Sequence, residues 1–236
     1  MKFDTNYYLY LLSLLHRSLY KVKRAILKIL KAKRSRDDHA THLPVLISMG
    51  KIYKIRRVIE FGCGKYSTLA FADKTLFPDL LSLEFYENNY DWYKKISNIV
   101  CDDKRVKPHY VQKEISEIIG SEMLSNADLI FIDDSDNSES RSQTIKKVCK
   151  YSNNSIVIIH DYEVPKYIDA SKEIRYRYTY NALTPNTGIL SNQLNLRKRI
   201  LQKINLFIWL MKKEDCIQNT RYWNKQYKKY GFILFN

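Results

Sequence analysis

RRVIEFGCGKYSTLAF, residues 56–71, decides how the rest of the chain is read. The apolar run Val58–Phe61 leads into Gly62-Cys63-Gly64, and a helical pattern begins at Ser67. A short buried strand that passes through glycines into a helix is the opening unit of a parallel α/β sheet. Its glycines let the backbone approach a ligand at the carboxyl end of the strand. The question is which ligand, and what is done with it.

The same alternation continues downstream. DLLSLEF (79–85), VKPHYV (106–111), DLIFIDD (128–134) and SIVIIHD (155–161) read as four more buried strands. Between them STLAFADKTL (67–76), NNYDWYKKISNIV (88–100), EISEIIGSEML (114–124) and SQTIKKVCKY (142–151) have helical length and pattern. Strand–helix alternation predicts a doubly wound, mostly parallel α/β fold with right-handed crossovers. RYRYTYN (175–181) and TGILS (187–191) have strand composition with no helix between them, and read as an antiparallel pair at the sheet edge.

The net charge of +15 is unevenly distributed. Residues 1–38 carry +7 and residues 194–236 carry +8, while 39–193 sum to zero. This divides the chain into a basic N-terminal helix (1–38), a neutral α/β domain (39–193) and a basic, aromatic C-terminal extension (194–236). The excess marks the flanks as the parts that dock on something anionic. Cys63, Cys101, Cys149 and Cys216 show no CxxC pairing, which favours a reduced intracellular protein over a zinc site or a disulfide framework.

The apolar run Tyr7–Leu15 is too short to span a bilayer, and it lacks the order of charges and the cleavage site of a signal peptide. Beyond it, Leu19, Val22, Ile26 and Ile29 recur at helical spacing among Lys21, Arg24, Lys28 and Lys31. Such a helix either lies in an anionic membrane interface or packs its stripe on the domain. NLRKRILQKINLFIWLMKKEDC (195–216) reads as a second basic helix. The tail after it mixes lysines with aromatics, a composition that also grips single-stranded nucleic acid, and it ends in a strand-like GFILF. The expected location is cytoplasmic, peripheral at the inner face of the membrane.

In open α/β sheets the ligand sits at the carboxyl ends of the strands. The sequence delivers Glu60 and the glycine loop there from the first strand, and Glu84 from the second. The fourth strand brings Asp133 and Asp134, and the fifth His160 and Asp161. A rim of carboxylates repels a pyrophosphate, so NAD is disfavoured. It suits a ligand carrying an ammonium and a sulfonium, with Glu84 placed for ribose hydroxyls. S-adenosylmethionine fits that pattern.

EFGCGKYST, SLEF, FIDD and IIHDY, in that order, resemble the class I S-adenosylmethionine-dependent methyltransferases, and among them bacterial enzymes whose fifth strand closes on a His-Asp pair. The resemblance covers about residues 40–190, with THLPVLISMGKI (41–52) similar to the helix before the first strand. It implies a seven-stranded Rossmann-like sheet with a reversed last strand. By motif position it places Glu60, Gly62 and Gly64 at the methionine part of the cofactor and Glu84 at the ribose. Ser67 and Asp133 complete the expected cofactor set. Two features depart from the family: Tyr-Ser-Asn-Asn (151–154) stands where a Gly-Gly pair is usual, and the basic tail has no counterpart.

Methyl transfer to an alkyl hydroxyl benefits from a general base, and His160 is the candidate, with Asp161 or Asp133 orienting it. The other reading of His160 is a strand-end histidine bonded to backbone. A second mechanism has a divalent ion on Asp133, Asp161 and Asp134, whereas Asp134 and Asp136 can equally serve as caps of the next helix. Arg141 is open to two readings, gripping an acidic substrate group or lying solvated at the surface. The expected activity is O-methylation of a sugar hydroxyl in a surface glycan or its precursor. The alternatives are an RNA methyltransferase, against which Ile-Asp-Asp-Ser (132–135) stands in place of an N/DPPY tetrad, and a non-catalytic domain that binds the cofactor or a partner.

Overall fold

Why the chain alternates as it does is visible in where its side chains go. The structure, a computed structural model, describes residues 38–152, 154–181 and 185–193. The helices expected in the basic flanks and the closing GFILF segment lie outside the described residues. Two units are distinguished, residues 1–41 with 198–236 and residues 42–197. The sheet and the α-helices belong to the second; the described part of the first includes a 3-10 turn at Asp38–Ala40.

Seven strands form one sheet: β1 (Arg57–Phe61), β2 (Ser82–Glu87), β3 (Val106–Tyr110), β4 (Leu129–Ile132), β5 (Ile156–Ile159), β6 (Tyr176–Tyr180) and β7 (Thr187–Ser191). Their order is β3-β2-β1-β4-β5-β7-β6. Strands β1 to β5 pair in parallel, and β7 runs antiparallel to both β5 and β6. The pair expected at the edge is therefore present, with β7 inserted between β5 and β6. Pro108 sits in edge strand β3, where the missing N–H costs no ladder bond on the open side.

Among the described residues seven α-helices accompany the sheet: α1 (Leu43–Ile52), α2 (Ser67–Ala72), α3 (Tyr90–Val100), α4 (Ile115–Ile118), α5 (Ser121–Leu124), α6 (Ser138–Tyr151) and α7 (Pro165–Ala170). One face of the sheet, carrying Ile59, Phe61, Ile130, Ile132 and Ile159, packs on side chains of α4 to α7, among them Ile145 and Val148. The other face presents Phe85 to Ile96 and Val100 of α3, and Phe131 to Phe71 of α2. Burial on both faces is why β1, β4 and β5 read as continuous apolar runs rather than alternating ones.

One helical expectation is corrected and one helix is added. EISEIIGSEML is broken at Gly120, whose extended backbone (φ −133, ψ 167) separates α4 from α5. Helix α7, begun by Pro165 in its first turn, was not expected. Among the described residues no helix is long and apolar enough to cross a membrane.

Candidate functional site

Neighbours of β1 lie in opposite chain directions, β2 on one side and β4 on the other, so the strand order switches between β1 and β4. A crevice opens at the carboxyl ends at such a point. Three backbone bonds extend the ladder past the strand ends and fix the loops there. The Gly62 N–H donates to Tyr86 O, Asp133 N–H to Phe61 O, and His160 N–H to Ile132 O.

The glycine turn is tight. Gly62 has φ +83, and a Cβ there would lie 2.2 Å from Asp133 O and 2.4 Å from Asp134 Cα. The β1 exit thus runs against the β4 exit with no room for a side chain. Glu60, fully buried, points from β1 toward α2. Its Oε2 accepts from the Thr68 hydroxyl at 2.7 Å, and Thr68 Oγ1 accepts from the Gly64 N–H at 2.9 Å. Its other oxygen, Oε1, is buried without a hydrogen-bond partner. Burial pushes the Glu60 carboxyl up to about 8, against the hydroxyls of Ser67 and Thr68, which favour the charge. Ser67, at the start of α2, is buried beside Gly64.

Glu84 is not where the sequence reading put it. β2 continues through Tyr86 and Glu87, paired with His109 and Tyr110, so Glu84 lies mid-strand opposite Ile59 and Lys107. Lys107 Nζ donates to Glu84 at 3.3 Å, as does the Tyr86 hydroxyl. Partial burial acts to raise this carboxyl, but Lys107 and His109 hold it below its usual value. The acid at the carboxyl end of β2 is Glu87, which is buried. It accepts from the Cys63 N–H at 3.1 Å and the Asn89 N–H at 2.8 Å, and burial raises its pKa. The adjacent Trp92 donates its indole N–H to Cys63 O, which ties α3 to the glycine turn.

At the ends of β4 and β5 the structure brings Asp133, His160 and Asp161 together. His160 Nδ1 stands 3.3 Å from Asp133 Oδ1 and 3.5 Å from Asp161 Oδ1. Asp161 has φ +55, a left-handed backbone that aspartate tolerates better than most residues. Burial disfavours the His160 imidazolium, yet Asp133 and Asp161 outweigh it and raise the pKa, with Arg141 opposing. Asp133 is held far below the usual carboxylate range: burial works against this, but His160 and Arg141 prevail.

Arg141 is not solvated, and its guanidinium is engaged by carboxylates of the protein itself. Its side chain is 3% exposed, with Nη2 3.0 Å from Asp133 Oδ1 and Nη1 2.9 Å from Asp161 Oδ2. The expected sharing of a divalent ion by Asp133, Asp161 and Asp134 does not fit this arrangement, because a guanidinium already lies between the carboxylates. Nor does Asp134 cap a helix. It is buried, accepts from the Thr144 hydroxyl at 2.5 Å, and burial lifts its carboxyl to about 6. The α6 cap is Asn137, whose Oδ1 accepts from the Glu139 and Ser140 N–H groups.

Sequence reading missed His42. This buried residue precedes α1 and stacks edge-on to His160, ring centroids 4.8 Å apart. With Asp133 and His160 it places three potential donor atoms within 4.8 Å of one another. The only signal was its position in THLPVLISMGKI, a helix assigned by resemblance.

No protein-family model matches the sequence, and no curated protein matches it. Solved structures similar to the chain include the N-methyltransferase NodS of Bradyrhizobium japonicum in complex with S-adenosyl-L-homocysteine (TM-score 0.45, 11% identity, 67% of this chain and 87% of that one). Others are TYW2 of M. jannaschii in complex with AdoMet (0.45, 12%, 67% and 76%) and the mitomycin 7-O-methyltransferase MmcR. For MmcR the TM-score is 0.45 and the identity 12%, over 63% of this chain and about half, 53%, of that one. The chain's own strand order, its reversed β7 and its glycine turn at the β1/β4 switch point make this the seven-stranded Rossmann-like fold that the resemblance to class I methyltransferases implied.

Proposed function

We propose that the chain is an S-adenosylmethionine-dependent methyltransferase acting on a hydroxyl oxygen, of a sugar in a surface glycan or its precursor. The observation that carries the reading is Glu60: a fully buried carboxyl group with one oxygen making no hydrogen bond, next to a turn whose Gly62 has no room for a side chain. A cationic ligand atom would satisfy that oxygen once the carboxyl gives up its proton, which an anionic pyrophosphate would not draw off. Glu60, Gly62, Gly64, Ser67 and Asp133 would hold the methionine part, and Glu87 takes the ribose role that the sequence reading gave to Glu84. Glu87 keeps acceptor capacity beyond its two backbone bonds, since a carboxylate offers about four lone-pair sites.

When bound, the cofactor supplies a methyl group on a sulfonium, an electrophile. The protein's part is to position the acceptor oxygen, exclude water and receive a proton. His160 is the receiving base, and Asp133 and Asp161 orient the ring and stabilise its charged form. A base must start neutral. With the His160 pKa raised by Asp133 and Asp161, opposed by Arg141, and with the His42 ring alongside, methyl transfer is expected to climb with pH through a midpoint above 6.5.

Calorimetry tests the cofactor reading. S-adenosyl-L-homocysteine should bind and NAD should not. Glu87→Ala should weaken binding by about 1–3 kcal/mol, and Glu84→Ala by less than about 0.5. Tight NAD binding, or a larger loss at Glu84 than at Glu87, would sink the assignment.

The basic flanks supply reach to an acceptor at an anionic membrane surface. Transfer of labelled methyl groups from the cofactor into fractionated cell extract tests both acceptor and base. Label is expected in the lipid-bound glycan fraction, reduced roughly a hundredfold or more by His160→Ala with cofactor affinity unchanged. Label in RNA instead selects the nucleic-acid reading, and full activity of His160→Ala removes the base.

A further inference from the structure

Asp133 and Asp161 end neighbouring strands, and their carboxylates converge on one point. Two such groups need a cation, because like charges in a partly desolvated crevice raise one another's energy. What stands at that point is Arg141, brought by the first turn of α6. Its Nη2 and Nη1 contact Asp133 and Asp161 at 3.0 and 2.9 Å, and its Cζ lies 5.5 Å from the Tyr167 ring centroid. Its Nε faces Asp134 Oδ1 at 3.9 Å, and both atoms are buried without a hydrogen bond. The guanidinium is thus enclosed, and it neutralises the carboxylates that a divalent ion would bridge.

We infer that Arg141 is a resident cation occupying the place of a divalent metal, so that this site works without one and becomes a metal site when the guanidinium is removed. A guanidinium bonds two carboxylates through separate nitrogens and holds its charge at any pH a protein meets. A hard divalent ion such as Mn²⁺ would use the same carboxylate oxygens. The two cations compete for one place. His42 and His160 add nitrogen donors near Asp133, but an ion bound through them would share Asp133 with a guanidinium that already lies 3.0 Å from its Oδ1.

The test is Mn²⁺ titration of the full chain followed by electron paramagnetic resonance, with no cofactor or acceptor present. Its failure is therefore distinguishable from failure of the methyltransferase reading. The unaltered protein is expected to show no saturable site below about millimolar Mn²⁺. Arg141→Met should gain a site at least about tenfold tighter, lost again when Asp161→Asn is added. Arg141→Met leaves buried negative charge unpaired and can fail to fold. Folding restored by Mn²⁺, or by adding Asp161→Asn, then supports the inference. It is overturned by saturable Mn²⁺ or Zn²⁺ binding to the unaltered protein that Asp161→Asn or His42→Ala removes. It is equally overturned by a folded Arg141→Met that gains no site, or by one that neither Mn²⁺ nor Asp161→Asn rescues.

Discussion

Gly62→Ala is expected to destabilise the protein by roughly 2–5 kcal/mol and to abolish cofactor binding. Two costs add. At φ +83 an L side chain meets its own backbone, a penalty of about 1–2 kcal/mol. The new Cβ would also lie 2.2 Å from Asp133 O, 2.4 Å from Asp134 Cα and 2.5 Å from Asp133 C. All three are backbone atoms, so no rotamer change relieves the overlap; β1 and β4 must part where Asp133 N–H donates to Phe61 O. Overpacking of this kind costs about 1–3 kcal/mol, a large share of the roughly 5–15 kcal/mol that holds a domain folded. Gly64→Ala is the control, since its Cβ would meet only the Ser67 hydroxyl at 2.8 Å, and that group can rotate. Urea unfolding of the two variants decides the point. A Gly62→Ala midpoint close to that of Gly64→Ala would show that the turn is not held as described.

That turn was legible in the sequence because its cause is local: a β-branched run, two glycines and a helix start occupy a dozen consecutive residues. The same holds for β4 and β5, whose apolar runs end at Asp133 and at His160–Asp161. What the sequence did not disclose depends on partners far along the chain. Glu84 and Glu87 are three residues apart in one strand, and only the pairing of Tyr86 and Glu87 with His109 and Tyr110 tells which ends it. Arg141 reads equally as a grip for an acidic substrate group or as a solvated arginine; its burial comes from three aspartates on two strand ends closing around it. Asp134 reads as an ion ligand, from its place at a strand end, or as a cap, because it precedes a helix. Its carboxylate is instead buried against α6, where the Thr144 hydroxyl donates to it. His42 was invisible for the same reason, since its neighbour His160 is more than a hundred residues away.

The Glu60 carboxyl carries the largest expected pH effect, because it is buried with half of its acceptor capacity unmet. Its folded value, about 8, lies above the ordinary 4.5. The stability gained by keeping the proton is therefore full below about pH 4.5 and is lost as pH rises toward 8, on the order of 5 kcal/mol in all. Glu60→Gln keeps an oxygen for the Thr68 hydroxyl and places an uncharged amide where Oε1 lies. The free variant should consequently be as stable as the parent or more so at pH 8, with a flatter dependence between pH 5 and 8. Cofactor binding should move the other way. If the ligand's positive groups call for the ionised carboxylate, binding near pH 7 must expel the Glu60 proton. Affinity for S-adenosyl-L-homocysteine then increases up to about tenfold per pH unit below pH 8, and calorimetry in buffers of different ionisation enthalpy records one proton released. Glu60→Gln should abolish that release and weaken binding by roughly 2–3 kcal/mol, the worth of a charge-assisted bond in a buried site. Gain of stability with loss of binding separates this account from a purely structural one, in which both would fall together. Binding that is independent of pH and unaltered in Glu60→Gln would mean that the unpartnered oxygen is not the cofactor's anchor.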